Sequence, residues 1–216
     1  MLEKFDLIAF DWDGTLIDST ATIARAIQHA AADLRLPVPD FATASNVIGL
    51  GLHDALARCV PALPRERAAE FSARYRYHYL VDEESLELFA GARDLLDALH
   101  VRGWTLAIAT GKTHAGLMRA LDATALRAYF SATRCADQCE SKPHPAMLLE
   151  LCAELGVRCE RTLMIGDTTH DLQMAAAAGA AAVAVTYGAH ARSQLAALQP
   201  LALVDSMDEL RTWLLG

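Results

Sequence analysis

The chain has 216 residues, 53% of them apolar, and a formal charge of −8 at neutral pH. That much apolar sequence can bury a sizeable core, as one large domain or one domain with a small insertion, and it excludes a disordered chain. The acidic balance excludes the basic face that a nucleic-acid partner needs, so an anionic ligand must be held by local charge.

Leu7-Ile8-Ala9-Phe10 is short and apolar on both faces, as a strand covered by helices on both sides of a parallel sheet should be. It runs out into Asp11-Trp12-Asp13-Gly14-Thr15-Leu16-Ile17-Asp18-Ser19, which sets two carboxylates two residues apart beyond the carboxyl end of the strand. That is the edge of an open α/β sheet where ligands bind.

The next seventy or so residues hold no convincing strand, far too many for an ordinary connection, and predict an inserted helical domain. Ile23, Ile27, Ala30 and Leu34 share a helical face; beyond Pro37 and Pro39 a second helix is expected from His53. Beyond Pro61 and Pro64, Ala68, Phe71, Tyr75 and Tyr79 form another stripe, read here as bundle core. The chain returns to the main domain near residues 87–91, with hinges expected near 16–19 and 82–90. The predicted division is a core of residues 1–16 and 88–216 with a helical cap of residues 17–87.

Further apolar runs at 104–109, 162–165, 181–186 and 201–204 alternate with helical patterns, the rhythm of a parallel sheet with helices on both faces. Predicted helices at 92–102, 145–155 and 172–178 each stop at a glycine: Gly103, Gly156 and Gly179. The longest apolar run, 174–187, is too short to span a bilayer and is broken by Gly179, so no membrane association is expected.

Cys59, Cys135, Cys139, Cys152 and Cys159 are odd in number, without Cys-x-x-Cys spacing or an evident secretory signal, which predicts reduced thiols and a cytoplasmic protein. Cys135, Cys139 and His144 fit no common zinc spacing. Lysine is scarce: Lys4, Lys112 and Lys142 are the only three, and two of them fall in candidate motifs.

The opening motif, Thr110 after the run Leu106–Ala109, Lys142 in Lys142-Pro143-His144-Pro145, and Gly166-Asp167-Thr168-Thr169-His170-Asp171 occur in this order. Together they resemble the haloacid dehalogenase-like hydrolases, in the branch that includes phosphoglycolate phosphatases and phosphosugar mutases. The resemblance implies a Rossmann-like parallel sheet core with an inserted α-helical cap. It implies Asp11 as the nucleophile that forms an aspartyl-phosphate, and Asp13 as the acid that protonates the leaving oxygen and then the base that activates water. Carboxylates beside a phosphate dianion require a hard cation, and Mg2+ suits a site with few protein oxygens. By resemblance its ligands are Asp11, the Asp13 carbonyl and Asp167, with Asp171 acting directly or through water; Asp171 also suits a helix N-terminus.

Thr110 offers a hydroxyl, Gly111 a backbone amide that an anion can approach, and Lys142 an ammonium to offset the charge on Asp11 and phosphate. Many relatives carry Asn at the position of Gly111. Gly111-Lys112-Thr113 is not a P-loop, since Leu106 stands where the first glycine is needed. Phosphoacceptor receiver domains use similar ingredients in a different order and lack a helical insertion.

Within the family, Asp13 argues against dehalogenation and the absence of lysine from residues 17–87 against phosphonate cleavage. Mutases typically carry a histidine near the position of Ile23. A phosphatase acting on a small phosphorylated metabolite remains, with phosphoglycolate the first substrate suggested and a monomer or homodimer expected. Gly49, Gly51 and His53 lie in a turn that resembles the family's substrate-facing turn; His53, Arg58 and Arg74 are candidates to meet a substrate carboxylate.

Overall fold

The computed structural model describes residues 5–216, so residues 1–4 of the predicted core segment, Lys4 among them, lie outside the described residues. Six parallel strands form one sheet in the order β3-β2-β1-β4-β5-β6. They are β1 (Leu7–Phe10), β2 (Thr105–Thr110), β3 (Ala132–Cys135), β4 (Thr162–Gly166), β5 (Ala181–Val185) and β6 (Ala202–Val204). The order reverses between β1 and its two neighbours, which opens a crevice at the carboxyl ends of the central strands. The expected α/β class is borne out.

Strand alternation divides the apolar side chains between two helical layers. Ile8, Phe10, Leu106, Ile108, Leu163 and Ile165 pack with helices α5 (Ala92–Val101), α6 (His114–Ala123) and α10 (Met207–Leu215). Leu7, Ala9, Ala107, Ala109 and Met164 turn to the other face, against α7 (Ala146–Leu155) and α8 (Thr169–Ala178). A one-residue slip would carry every one of these side chains to the wrong layer, so the apolar pattern fixes the register. α9 (Arg192–Ala196) covers the β5–β6 end through Leu195.

Four helices leave the sheet after β1: α1 (Thr20–Asp33), α2 (Phe41–Ser45), α3 (Leu52–Cys59) and α4 (Ala68–Glu83). They enclose their own apolar cluster, in which Ile23, Ile27, Ala30 and Leu34 of the predicted face meet Ala44, Leu56, Phe71 and Tyr79. The two chain crossings into this insert run side by side. Ile17 and Leu88 form an antiparallel bridge, Asp18 N–H donates to Glu87 C=O at 2.9 Å and Phe89 N–H to Leu16 C=O at 3.0 Å.

The structure adds to and shifts the sequence-based elements. β3 was not foreseen, because its four residues include Arg134 and Thr133 and it lies at the sheet edge. α2 is only five residues and carries no helical stripe long enough to read. α4 continues to Glu83, so Asp82, expected in a hinge, is helical. α8 starts three residues before Leu172, because Thr168 and Asp171 form a capping box ahead of it. Among the described residues no helix is long and apolar enough to cross a membrane, and all five cysteines are free thiols.

Candidate active site

Asp11 is the first residue beyond β1, and its N–H donates to Ile165 C=O at 2.8 Å, so the sheet ladder holds it one residue past the strand. Asp167 follows β4 directly and Thr110 closes β2, which brings all three to the same edge. Lys142 reaches them from the loop before α7, where its peptide bond to Pro143 is cis. Its Nζ lies 2.7 Å from Asp11 Oδ1 and 2.6 Å from Asp171 Oδ1, with all three side chains buried.

Each carboxylate is held by named donors. Asp167 Oδ1 accepts from Thr15 Oγ1 at 2.9 Å and its Oδ2 from Ala189 N–H at 2.7 Å. Asp171 Oδ2 accepts from Thr168 N–H at 3.0 Å and Thr168 Oγ1 at 2.7 Å, so Asp171 belongs both to the helix cap and to the acidic cluster. Asp13 Oδ1 accepts from Ser19 Oγ at 2.8 Å and Lys112 Nζ at 3.1 Å. Asp11 Oδ2 is different: it is fully buried and has no hydrogen-bond partner among the described residues.

Burial pushes the Asp11 carboxyl well up from the ordinary range, with the charges of Asp171 and Asp167 adding to it and Lys142 opposing. Burial and the neighbouring Asp171 push Asp167 up to about 7. Burial works against the Lys142 ammonium, yet Asp11 and Asp171 raise its pKa and keep it charged. Three carboxyls share one ammonium, and an oxygen from each of Asp11, Asp167 and Asp171 lies within 4.8 Å of the others. A hard cation suits this donor set, since it would supply the missing charge. The Asp13 carbonyl accepts no backbone hydrogen bond among the described residues and is also available to it.

A cavity of about 620 Å³ opens from Asp13 between the sheet edge and the insert. Gly49, Gly51 and His53 all line it. The turn is pinned to the sheet domain: Gly51 N–H donates to Ser141 Oγ at 2.6 Å, and Nε2 of both His170 and His190 lies 3.1 Å from Asn46 C=O. The His53 side chain is 93% exposed beside Asp54, and Arg58 and Arg74 do not line the cavity, Arg74 standing 3.8 Å from Asp33. The cations expected to face a substrate therefore lie at its rim or away from it.

Gly111 meets a steric requirement that the sequence did not show. A Cβ there would stand 2.5 Å from Leu50 C=O and 2.6 Å from Gly49 C=O, so the missing side chain admits the insert turn to the end of β2. The asparagine of many relatives could not occupy this space without moving the turn.

Sequence reasoning gave no role to Ser19, Thr15 or Lys112, although each falls inside a motif it singled out. It placed the α4 aromatic stripe in the bundle core, which holds for Phe71; Tyr75 and Tyr79 pack on the core and also line the cavity.

Residues 8–185 match the haloacid dehalogenase-like hydrolase family. The chain belongs to that family. It is 39% identical to the "Probable phosphatase IndB" of Dickeya dadantii over 210 residues, 94% of this chain and 91% of that protein. It is 33% identical to a phosphoglycolate phosphatase of Salmonella typhimurium, covering 97% and 92% of the two chains. A crystal structure described as a predicted phosphoglycolate phosphatase from Haemophilus somnus superposes with a TM-score of 0.84 at 28% identity, covering 97% and 98%. The resemblance carried by the motifs is thus borne out across the sheet and the insert alike.

Proposed function

We propose that the protein is a cytoplasmic phosphatase that hydrolyses a small phosphate monoester through a phosphorylated Asp11. The observation that carries this reading is Asp11 Oδ2, a fully buried oxygen without a hydrogen-bond partner among the described residues, at the carboxyl end of the central strand. Lys142 ties the other oxygen of the same carboxylate. The relatives' names support the same class of reaction, and those named phosphoglycolate phosphatase make phosphoglycolate the first substrate to test.

Asp11 Oδ2 attacks phosphorus in line with the ester oxygen, forming an acyl phosphate as the bond to the leaving oxygen breaks. Asp13 gives that oxygen a proton as it departs, through Oδ2, since Ser19 and Lys112 engage its Oδ1. Asp13 then takes a proton from water, whose oxygen attacks phosphorus and releases phosphate and the Asp11 carboxylate. The Thr110 hydroxyl and the Lys142 ammonium steady the phosphoryl oxygens. Mg2+, held by Asp11, the Asp13 carbonyl and Asp167 with Asp171 behind them, would supply the charge that lets carboxylates and phosphate share the site. Ile23 lines the cavity where mutases typically carry a histidine, which supports hydrolysis over transfer.

Residues 17–87 act in this account as a cap that closes over the ester, excludes bulk water and opens to release phosphate. The paired crossings at Ile17 and Leu88 are where it would turn. The test is release of inorganic phosphate from a panel of esters, with Mg2+ and with EDTA. The account expects turnover with Mg2+ that chelation abolishes; no release from any ester, or full activity in EDTA, would overturn it.

A further inference from the structure

Beyond engaging Asp13 Oδ1, Lys112 takes no part in the chemistry above, yet it is the cation set deepest in the cavity. Its side chain is only 10% exposed. Nζ donates to Asp13 Oδ1 at 3.1 Å and to Tyr79 Oη at 2.7 Å, and it stands 4.5 Å from the centroid of the Tyr79 ring. An ammonium has three N–H donors and accepts nothing. Two of them are accounted for, and the third meets no acceptor among the described residues.

Tyr79 carries the second half of the argument. Because its partner can only donate, Tyr79 Oη is the acceptor in that bond, and its own O–H is left free. No other hydrogen bond to this hydroxyl occurs among the described residues, and burial holds the phenol un-ionised by raising its pKa. Two spare donors therefore sit 2.7 Å apart in a wall of the cavity, one cationic and one neutral. Buried donors without acceptors are costly, and a pair at this spacing suits the two oxygens of a carboxylate.

Their place relative to Asp13 says which part of a substrate they would meet. Asp13 addresses the ester oxygen, and Lys112 stands against the same carboxylate, so the pair lies on the leaving-group side within a carbon or two of the scissile bond. The other cations lining the cavity are less suited: Arg76 and His53 are exposed to solvent, Arg119 is paired with Glu83 at 3.4 Å and His144 with Glu140 at 2.8 Å, each of the last two about half exposed. The geometry points to Lys112 and Tyr79 as a subsite for a carboxylate carried by the leaving group close to the ester oxygen, making the substrate the phosphate ester of a small hydroxy acid. This rests on the phosphatase reading and narrows its substrate class. Since Tyr79 comes from the insert and Lys112 from the sheet domain, the subsite exists only when the two are together.

The experiment compares phosphoglycolate with 2-hydroxyethyl phosphate, of similar size but with a hydroxyl in place of the carboxylate, in the wild type, K112M and Y79F. The wild type is expected to prefer phosphoglycolate in kcat/KM by roughly 10²-fold or more, K112M to lose most of that preference and Y79F part of it. Asp11→Asn protein, unable to turn over, reads the same preference as a ratio of dissociation constants, with and without K112M. A wild type that hydrolyses both esters equally, or a K112M that loses activity on both alike while the binding ratio stays unchanged, would overturn the subsite and leave the phosphatase reading intact. Release of phosphate from neither ester, nor from p-nitrophenyl phosphate, would overturn both.

Discussion

Lys142 Nζ stands 2.7 Å from Asp11 Oδ1, joining residues 131 positions apart in a pair that no water reaches. The same nitrogen is 2.6 Å from Asp171 Oδ1. A buried ion pair costs desolvation on both sides, and removing one partner leaves the other charge uncompensated.

Lys142→Met should therefore destabilise the fold by about 3–5 kcal/mol as well as abolish turnover, because Asp11 and Asp171 then repel each other without an ammonium between them. Lys142→Arg should not restore activity, since a planar fork cannot replace a point charge shared by two carboxylates. Denaturant titration and initial rates check both, and wild-type stability in Lys142→Met would contradict the assignment of the pair.

Divalent-ion binding should depend on pH in a defined direction. Asp167 is pushed up to about 7 by burial and Asp171. A carboxyl raised in the folded state stabilises the fold most below its ordinary range, and that contribution is lost as pH rises toward about 7. Metal-free protein should thus lose this contribution between about pH 4 and 7, while Mg2+, which needs the ionised carboxylate, binds better over the same interval. The rise in Tm on adding Mg2+ should grow from about pH 5.5 to 7. Taking the difference at each pH removes the opposing influence of His170, whose pKa burial lowers to about 4. An Mg2+ effect that is flat or falls with pH would contradict it.

Gly111→Ala should spare the sheet and impair the site. The new methyl would meet the Gly49 and Leu50 carbonyls at 2.5–2.6 Å, and the turn must yield. Misplacing the insert by an ångström would cost about 10²-fold in kcat/KM. Tm should move by only a few degrees, since the sheet's two apolar layers are untouched. Wild-type kinetics in this variant would show that the close approach of the turn is dispensable.

How much of this was legible in the sequence follows from where each signal lies. Asp11, Asp13, Thr110, Asp167 and Asp171 sit in short segments next to apolar strands, so motif and strand end together placed them on one sheet edge, whereas Lys142 was legible from its motif alone, in the loop before α7. β3 and α2 were too short, and too polar in β3, to leave a periodic trace. The cavity cations show a different limit. Arg74 was a candidate to meet a substrate and Lys112 was not, yet the fold sets Lys112 inward against Asp13 and leaves Arg74 beside Asp33. Likewise the Gly111 backbone announces flexibility, whereas the carbonyls that fill its missing side chain come from residues some sixty positions earlier.

The most direct measurement is chemical trapping of the enzyme during turnover, by borohydride reduction followed by peptide mass spectrometry. An aspartyl-phosphate at position 11 is reduced to homoserine, so the account predicts that mass change in the peptide carrying Asp11, dependent on substrate and absent from Asp11→Asn, whose turnover should fall at least ~10³-fold. Rapid turnover with an unmodified Asp11 peptide, or with the modification at another carboxylate, would contradict it.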